Sequence, residues 1–63
     1  MDNLKQIRKN NKFSQEEMAR TLNISLRAYQ FKEKGESELQ LSELIILAEK
    51  FNKSLTDFIN RIV

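Results

Sequence analysis

The chain has 63 residues, 40% hydrophobic and 32% charged; that balance suits one folded domain over residues 1–63, is too apolar for a disordered chain, and leaves little room for a deep ligand cavity. It contains no Cys and no His, which excludes a disulfide framework and thiolate chemistry and removes the commonest general base and metal ligand. The net charge is only +2, yet residues 1–34 hold eight Lys/Arg against four Asp/Glu and residues 35–63 hold three against five, so the first half is the side a polyanion would meet.

No apolar run approaches the roughly 20 residues that span a bilayer, and the opening "MDNLKQIRKN" has no apolar signal core. A cytoplasmic protein with no membrane attachment is therefore the expectation. Pro is absent, Gly35 is the one glycine, and no sustained alternation marks a strand. Helical spacing recurs along the whole chain, which predicts an all-α fold of five short helices.

The first helix is expected over about 2–11, capped by Asp2 or Asn3, with Leu4, Ile7 and Arg8 on one face. The second begins with the capping box "SQEE", in which Ser14 caps and Glu17 reaches back to its amide. Its apolar stripe is Met18, Ala19 and Leu22, and Phe13 just before the cap is placed to staple onto Met18. "NIS" interrupts: Asn23 tolerates the left-handed conformation that ends a helix, and Ser25 caps the third helix, Leu26–Lys34, which Gly35 stops. A fourth helix over about 41–51 should bury Leu41, Leu44, Leu47, Ala48 and Phe51, with Asn52 as its left-handed terminator. "SLTD" starts a fifth, whose stripe is Leu55, Phe58, Ile59 and Ile62. Leu55 and Ile59 are expected in the core. Phe58, Ile62 and Val63 exceed what a small bundle hides, which points to a two-fold dimer contact.

Residues 15–34 thus read as a capped helix, a three-residue break and a second capped helix, the helix-turn-helix arrangement. The small Ala19 lets the helices cross closely. Stepping about 100° per residue from Tyr29 at the centre of the buried face puts Glu33 beside it. Arg27, Phe31 and Lys34 fall on the opposite side, with Gln30 at the edge.

"LKQIRKNNKFSQEEMARTLNIS", "EKG" and "LSELIILAEKFNKSLTDFI" together resemble the phage-repressor, Cro-like (Xre-type) helix-turn-helix family over about residues 4–59. The resemblance implies a lambda-repressor-like five-helix bundle that binds double-stranded operator DNA, usually as a homodimer, with helix three in the major groove and helix two across the backbone. It implies no catalysis, cofactor or metal. Residue by residue, it makes Gln15 a phosphate contact and Arg8–Glu33 an ion pair tying helix one to helix three. It puts Ser25 near phosphate, and Leu26, Arg27, Gln30 and Phe31 toward base edges, with Lys34 further along that face. For Arg27 the sharp role is guanine recognition and the plain one a phosphate clamp or solvation. Gln30 is a candidate for adenine or phosphate. Lys5, Lys9, Lys12, Arg20 and Lys53 read first as solvated charges.

Four positions depart from the family. Asn23 stands for a turn glycine, Lys32 for a large apolar residue whose place its stem would fill while the ammonium reaches water, and Phe31 for a polar DNA-facing residue. The loop "GESE" is acidic where the family's is basic. Three placements stay open for Phe31: on a thymine methyl, on a partner protein or the adjacent loop, or turned into the core with Lys32 outside. The leading function is a DNA-binding regulator, a repressor. The alternative is a protein-interaction module on the same scaffold, an antitoxin or antirepressor-like adaptor. The carboxylates of "QEE" and "ESE" sit at helix starts and loops, where they cap or solvate, so an enzyme is the weakest reading.

Overall fold

In the computed structural model, which describes residues 4–62, polar junctions separate five helices: α1 (Leu4–Asn10), α2 (Gln15–Leu22), α3 (Leu26–Lys34), α4 (Leu41–Lys50) and α5 (Leu55–Ile62). No strand occurs among the described residues, and none of their helices is long and apolar enough to cross a membrane. The expected caps at Asp2 or Asn3, and Val63, lie outside the described residues.

The helix starts follow side-chain chemistry. The Glu17 amide donates to Ser14 Oγ at 3.1 Å while the Ser14 amide donates to Glu17 Oε1 at 2.9 Å, and that amide bond holds the Glu17 carboxyl below its ordinary range. Ser25 Oγ accepts from the Ala28 amide at 3.1 Å, and Ser54 Oγ from the Asp57 amide at 3.2 Å. At α4 the Gln40 amide donates to Glu43 Oε1 at 2.8 Å.

The helix ends share one device. Lys12, Asn23, Gly35 and Asn52 all have positive φ, at 62°, 58°, 83° and 57°. The residue after each donates its amide back five positions, Phe13 to the Arg8 carbonyl, Ile24 to Ala19, Glu36 to Phe31 and Lys53 to Ala48, at 2.9–3.1 Å. These bonds satisfy last-turn carbonyls that a helix otherwise leaves open. Asn23, Gly35 and Asn52 were expected in this conformation. Lys12 was not, because a lysine there carries a steric penalty of about 1 kcal/mol that only the closing bonds and the docking of Phe13 offset.

α2 packs on both α3 and α4, and α4 on α5. Met18, Tyr29, Leu47 and Phe58 are fully buried at the centre. Ala19, 4% exposed, sits where α2 meets α3. Three rings run through the core, Phe13 tilted on Phe51 and Phe51 stacked on Phe58, each pair 5.7 Å between centroids. The Lys50 ammonium closes the outer end, 4.3 Å from the centre of the Phe13 ring.

Two packing expectations are corrected. Leu41 is 62% exposed rather than buried: it is the first residue of α4, and the core stripe is carried by Leu44, Leu47, Ala48 and Phe51 deeper along the chain. Phe58 is not a dimer contact, because it is 0% exposed and stacked on Phe51. The inward side of α5 is Leu55, Phe58 and Ile62, with Ile62 half-buried against the core, so the helix is turned from the Leu55–Ile59 orientation that the stripe suggested.

Candidate nucleic-acid interface

The break between α2 and α3 is Asn23, Ile24 and Ser25, with Asn23 left-handed and Ser25 extended at φ −70°. Ile24 packs against the core, so the turn is pinned from inside and α3 leaves α2 at a fixed angle. Tyr29 is 0% exposed and Phe31 is 38% exposed. Tyr29 is therefore the inner ring and Phe31 the outer one, and the arrangement with Phe31 turned into the core is ruled out.

Glu33 fixes the inner edge of α3. Its side chain is 4% exposed and its two oxygens accept four hydrogen bonds: Arg8 Nε at 2.8 Å and Arg8 Nη2 at 3.3 Å, the Tyr29 hydroxyl at 2.7 Å and Gln15 Nε2 at 2.9 Å. Arg8 Nη1 also donates to the Phe13 carbonyl at 2.8 Å, which ties α1 to the loop before α2. Burial disfavours the Glu33 charge, but the bonds from Arg8, Tyr29 and Gln15 outweigh it and hold the carboxyl below its ordinary value. The same ion pair raises Arg8. Burial, then the bond to Glu33, pushes the Tyr29 phenol up. Arg8, Tyr29 and Glu33 are thus locked as cation, neutral phenol and anion, and with Gln15 they join three helices at one carboxylate.

Gln15 carries this rigidity to the surface. Its Nε2 donates to Glu33 while its Oε1 accepts from Gln30 Nε2 at 3.2 Å. The first residue of α2 and the middle of α3 are therefore coupled by paired amides, each of which keeps a second N–H free. These amides, Glu33, Lys5 and Lys34 line a shallow groove. Lys5 had read as a solvated charge. Its place beside Gln15 depends on how α1 crosses α2, which spacing along one helix does not report.

Arg27 and Phe31, outside the groove, and Lys34, at its rim, are exposed on the outward side of α3. The Arg27 guanidinium carbon lies 5.5 Å from the centre of the Phe31 ring, within cation–π range. Leu26 is 39% exposed at the start of the helix, beside the exposed Ser25. Lys32 points the other way. Its Nζ pairs with Glu43 Oε1 at 3.1 Å and donates to the Glu38 carbonyl at 3.1 Å. The ammonium that was expected to reach water instead joins α3 to α4 and holds the acidic loop. Glu36 and Glu38 remain exposed on that loop.

The sequence-predicted residues thus divide. Gln15, Gln30, Glu33 and Arg8 form one hydrogen-bonded chain, Arg27 and Phe31 form a stacked pair, and Ser25 is committed through its oxygen to the Ala28 cap. Phe58 and Ile62 belong to the core and its edge. A sequence model of the helix-turn-helix family matches residues 4–58. No curated protein and no solved structure matches the chain.

Proposed function

The chain belongs to the helix-turn-helix family, the Xre and lambda-repressor-like DNA-binding regulators, and on that premise we propose that residues 1–63 act as one sequence-specific transcriptional repressor domain. In this reading α3 enters the major groove of operator DNA and α2 crosses the backbone. The observation that carries it is the amide pair Gln15–Gln30 beside Arg27 and Lys34, a rigid donor-rich edge on an outward helix face. Gln15 and the exposed amides at the start of α3 by Ser25 meet phosphates, with Lys5 and Lys34 adding charge. Arg27 and Gln30 meet base edges. In this reading the protein works in the cytoplasm on its operator DNA and needs no cofactor and no catalysis.

A two-fold homodimer belongs to this reading, because paired half-sites need paired recognition helices. With Phe58 committed to the core, the apolar side chains available for that contact are Leu41, Ile45 and Ile46 on α4, 62%, 42% and 39% exposed. The second reading, a protein-interaction module, is favoured by that same α4 face together with the acidic Glu36–Glu38 loop. A salt series on random duplex DNA separates the two. A DNA-binding regulator loses affinity steeply as salt rises and enriches a sequence, whereas an adaptor binds no duplex even at low salt.

A further inference from the structure

We propose that the outward face of α3 reads a 5-methylpyrimidine adjacent to a guanine, Arg27 taking the guanine and Phe31 the methyl group; this rests on the DNA-binding reading above. Phe31 is the one aromatic side chain on that face and is 38% exposed. A half-exposed ring on so small a domain is apolar surface that a ligand can cover with gain. What the major groove offers an apolar side chain is the C5 methyl of a pyrimidine.

The neighbour of the ring identifies the second base. Among the described residues Arg27 meets no carboxylate, and its guanidinium carbon rests 5.5 Å from the Phe31 centroid. Stacking orients the planar fork without using its N–H donors, so they remain available for the O6 and N7 acceptors of guanine. Arg27 and Phe31 are four residues apart, a rise of about 6 Å along the helix. The guanidinium lies over the ring, so the two tips stand 5.5 Å apart, between one and two steps of the roughly 3.4 Å base stack. The pair is therefore matched to neighbouring base pairs.

The chemistry has a regulatory consequence. Thymine and 5-methylcytosine both present a C5 methyl in the groove, whereas uracil and unmethylated cytosine do not. A position read by Phe31 accepts thymine or 5-methylcytosine and disfavours the unmethylated bases, so methylation of cytosine at that position strengthens binding.

The test is selection of the purified chain on a random-sequence duplex library, followed by titration of the enriched duplex and its base analogues. Enrichment of thymine beside guanine is expected. Replacing that thymine by deoxyuridine, which deletes only the methyl, should weaken wild-type binding about four-fold per half-site. Placing cytosine there should weaken it, and 5-methylcytosine should recover more of the affinity than cytosine does. Phe31→Ala should bind the thymine and uracil duplexes equally while keeping the preference for guanine. Equal wild-type affinity for thymine and uracil at every position beside guanine overturns the inference and leaves the DNA-binding reading intact. No enriched duplex at all overturns both. The comparison on the wild-type chain stands without any variant, so a folding defect in Phe31→Ala does not remove the test.

Discussion

Glu33 decides more of the geometry than any other residue. It is a carboxylate with a 4% exposed side chain, and its charged partner, Arg8, comes from α1 while Gln15 reaches it from α2. Removing either partner leaves the other charge buried and unpaired, so Arg8→Ala or Glu33→Gln should lower stability by about 3 kcal/mol, measured by chemical denaturation. The pH dependence follows from the lowered carboxyl. A carboxyl that ionises more easily folded than unfolded stabilises fully above its ordinary value of 4.5, and the contribution fades as pH falls through the lower folded value. The stability gap between wild type and Glu33→Gln should therefore narrow as pH is taken from about 6 to about 3. A constant gap would mean that the carboxylate charge is not what the variant removes. Spacing placed Arg8, Tyr29 and Glu33 toward the inner side of their helices, and the family resemblance paired Arg8 with Glu33. For Gln15 the resemblance implied a phosphate contact and nothing pointed to its partners within the fold. Its bonds to Glu33 and Gln30 depend on how α2 crosses α3, which no single-helix pattern encodes.

Among the elements, the left-handed ends explain how helices this short stop in register. Gly35 has no atom within 4 Å of where a Cβ would stand, so a side chain there meets backbone strain alone. Gly35→Ala should cost about 1 kcal/mol, and Gly35→Asn less, because Asn tolerates that conformation. Lys12 is the converse case. It sits at φ 62° with an exposed side chain, so Lys12→Gly should raise the melting temperature through relief of about 1 kcal/mol of strain. A lower melting temperature would show that the unfolded-state entropy of glycine outweighs the strain. The sequence disclosed the ends that use Asn or Gly and hid the one that uses Lys, since lysine carries no preference for that region. Helix orientation was the other hidden quantity. The apolar stripe of α5 is wide enough to face inward by Leu55–Ile59 or by Phe58–Ile62, and the ring of Phe51 decides for the second. Likewise Leu41 fits the α4 stripe by spacing and is lost to solvent by position at the helix start.

For the molecule as a whole, the five helices have a radius of gyration of 10.4 Å, close to the roughly 11 Å expected of a compact chain this long. The fold class could be read in advance because capping boxes, left-handed residues and helical stripes agreed with one another at nearly every junction. The modest +2 charge conceals a division of labour. The cationic residues Lys5, Arg27 and Lys34 gather on or beside the α2–α3 edge, while the acidic loop is drawn toward α4 by Lys32. Lys5→Ala should reduce the slope of log affinity against log salt by about 1 and leave base preference unchanged, because the proposed reading gives it a phosphate and no base. The most direct test of the account is a competition titration of wild type and Arg27→Ala on the selected duplex and on the same duplex with its guanine replaced. The account predicts that wild type discriminates against the replaced guanine about ten-fold or more, while Arg27→Ala binds both duplexes alike and keeps its salt dependence. Retention of the guanine preference by Arg27→Ala would contradict it.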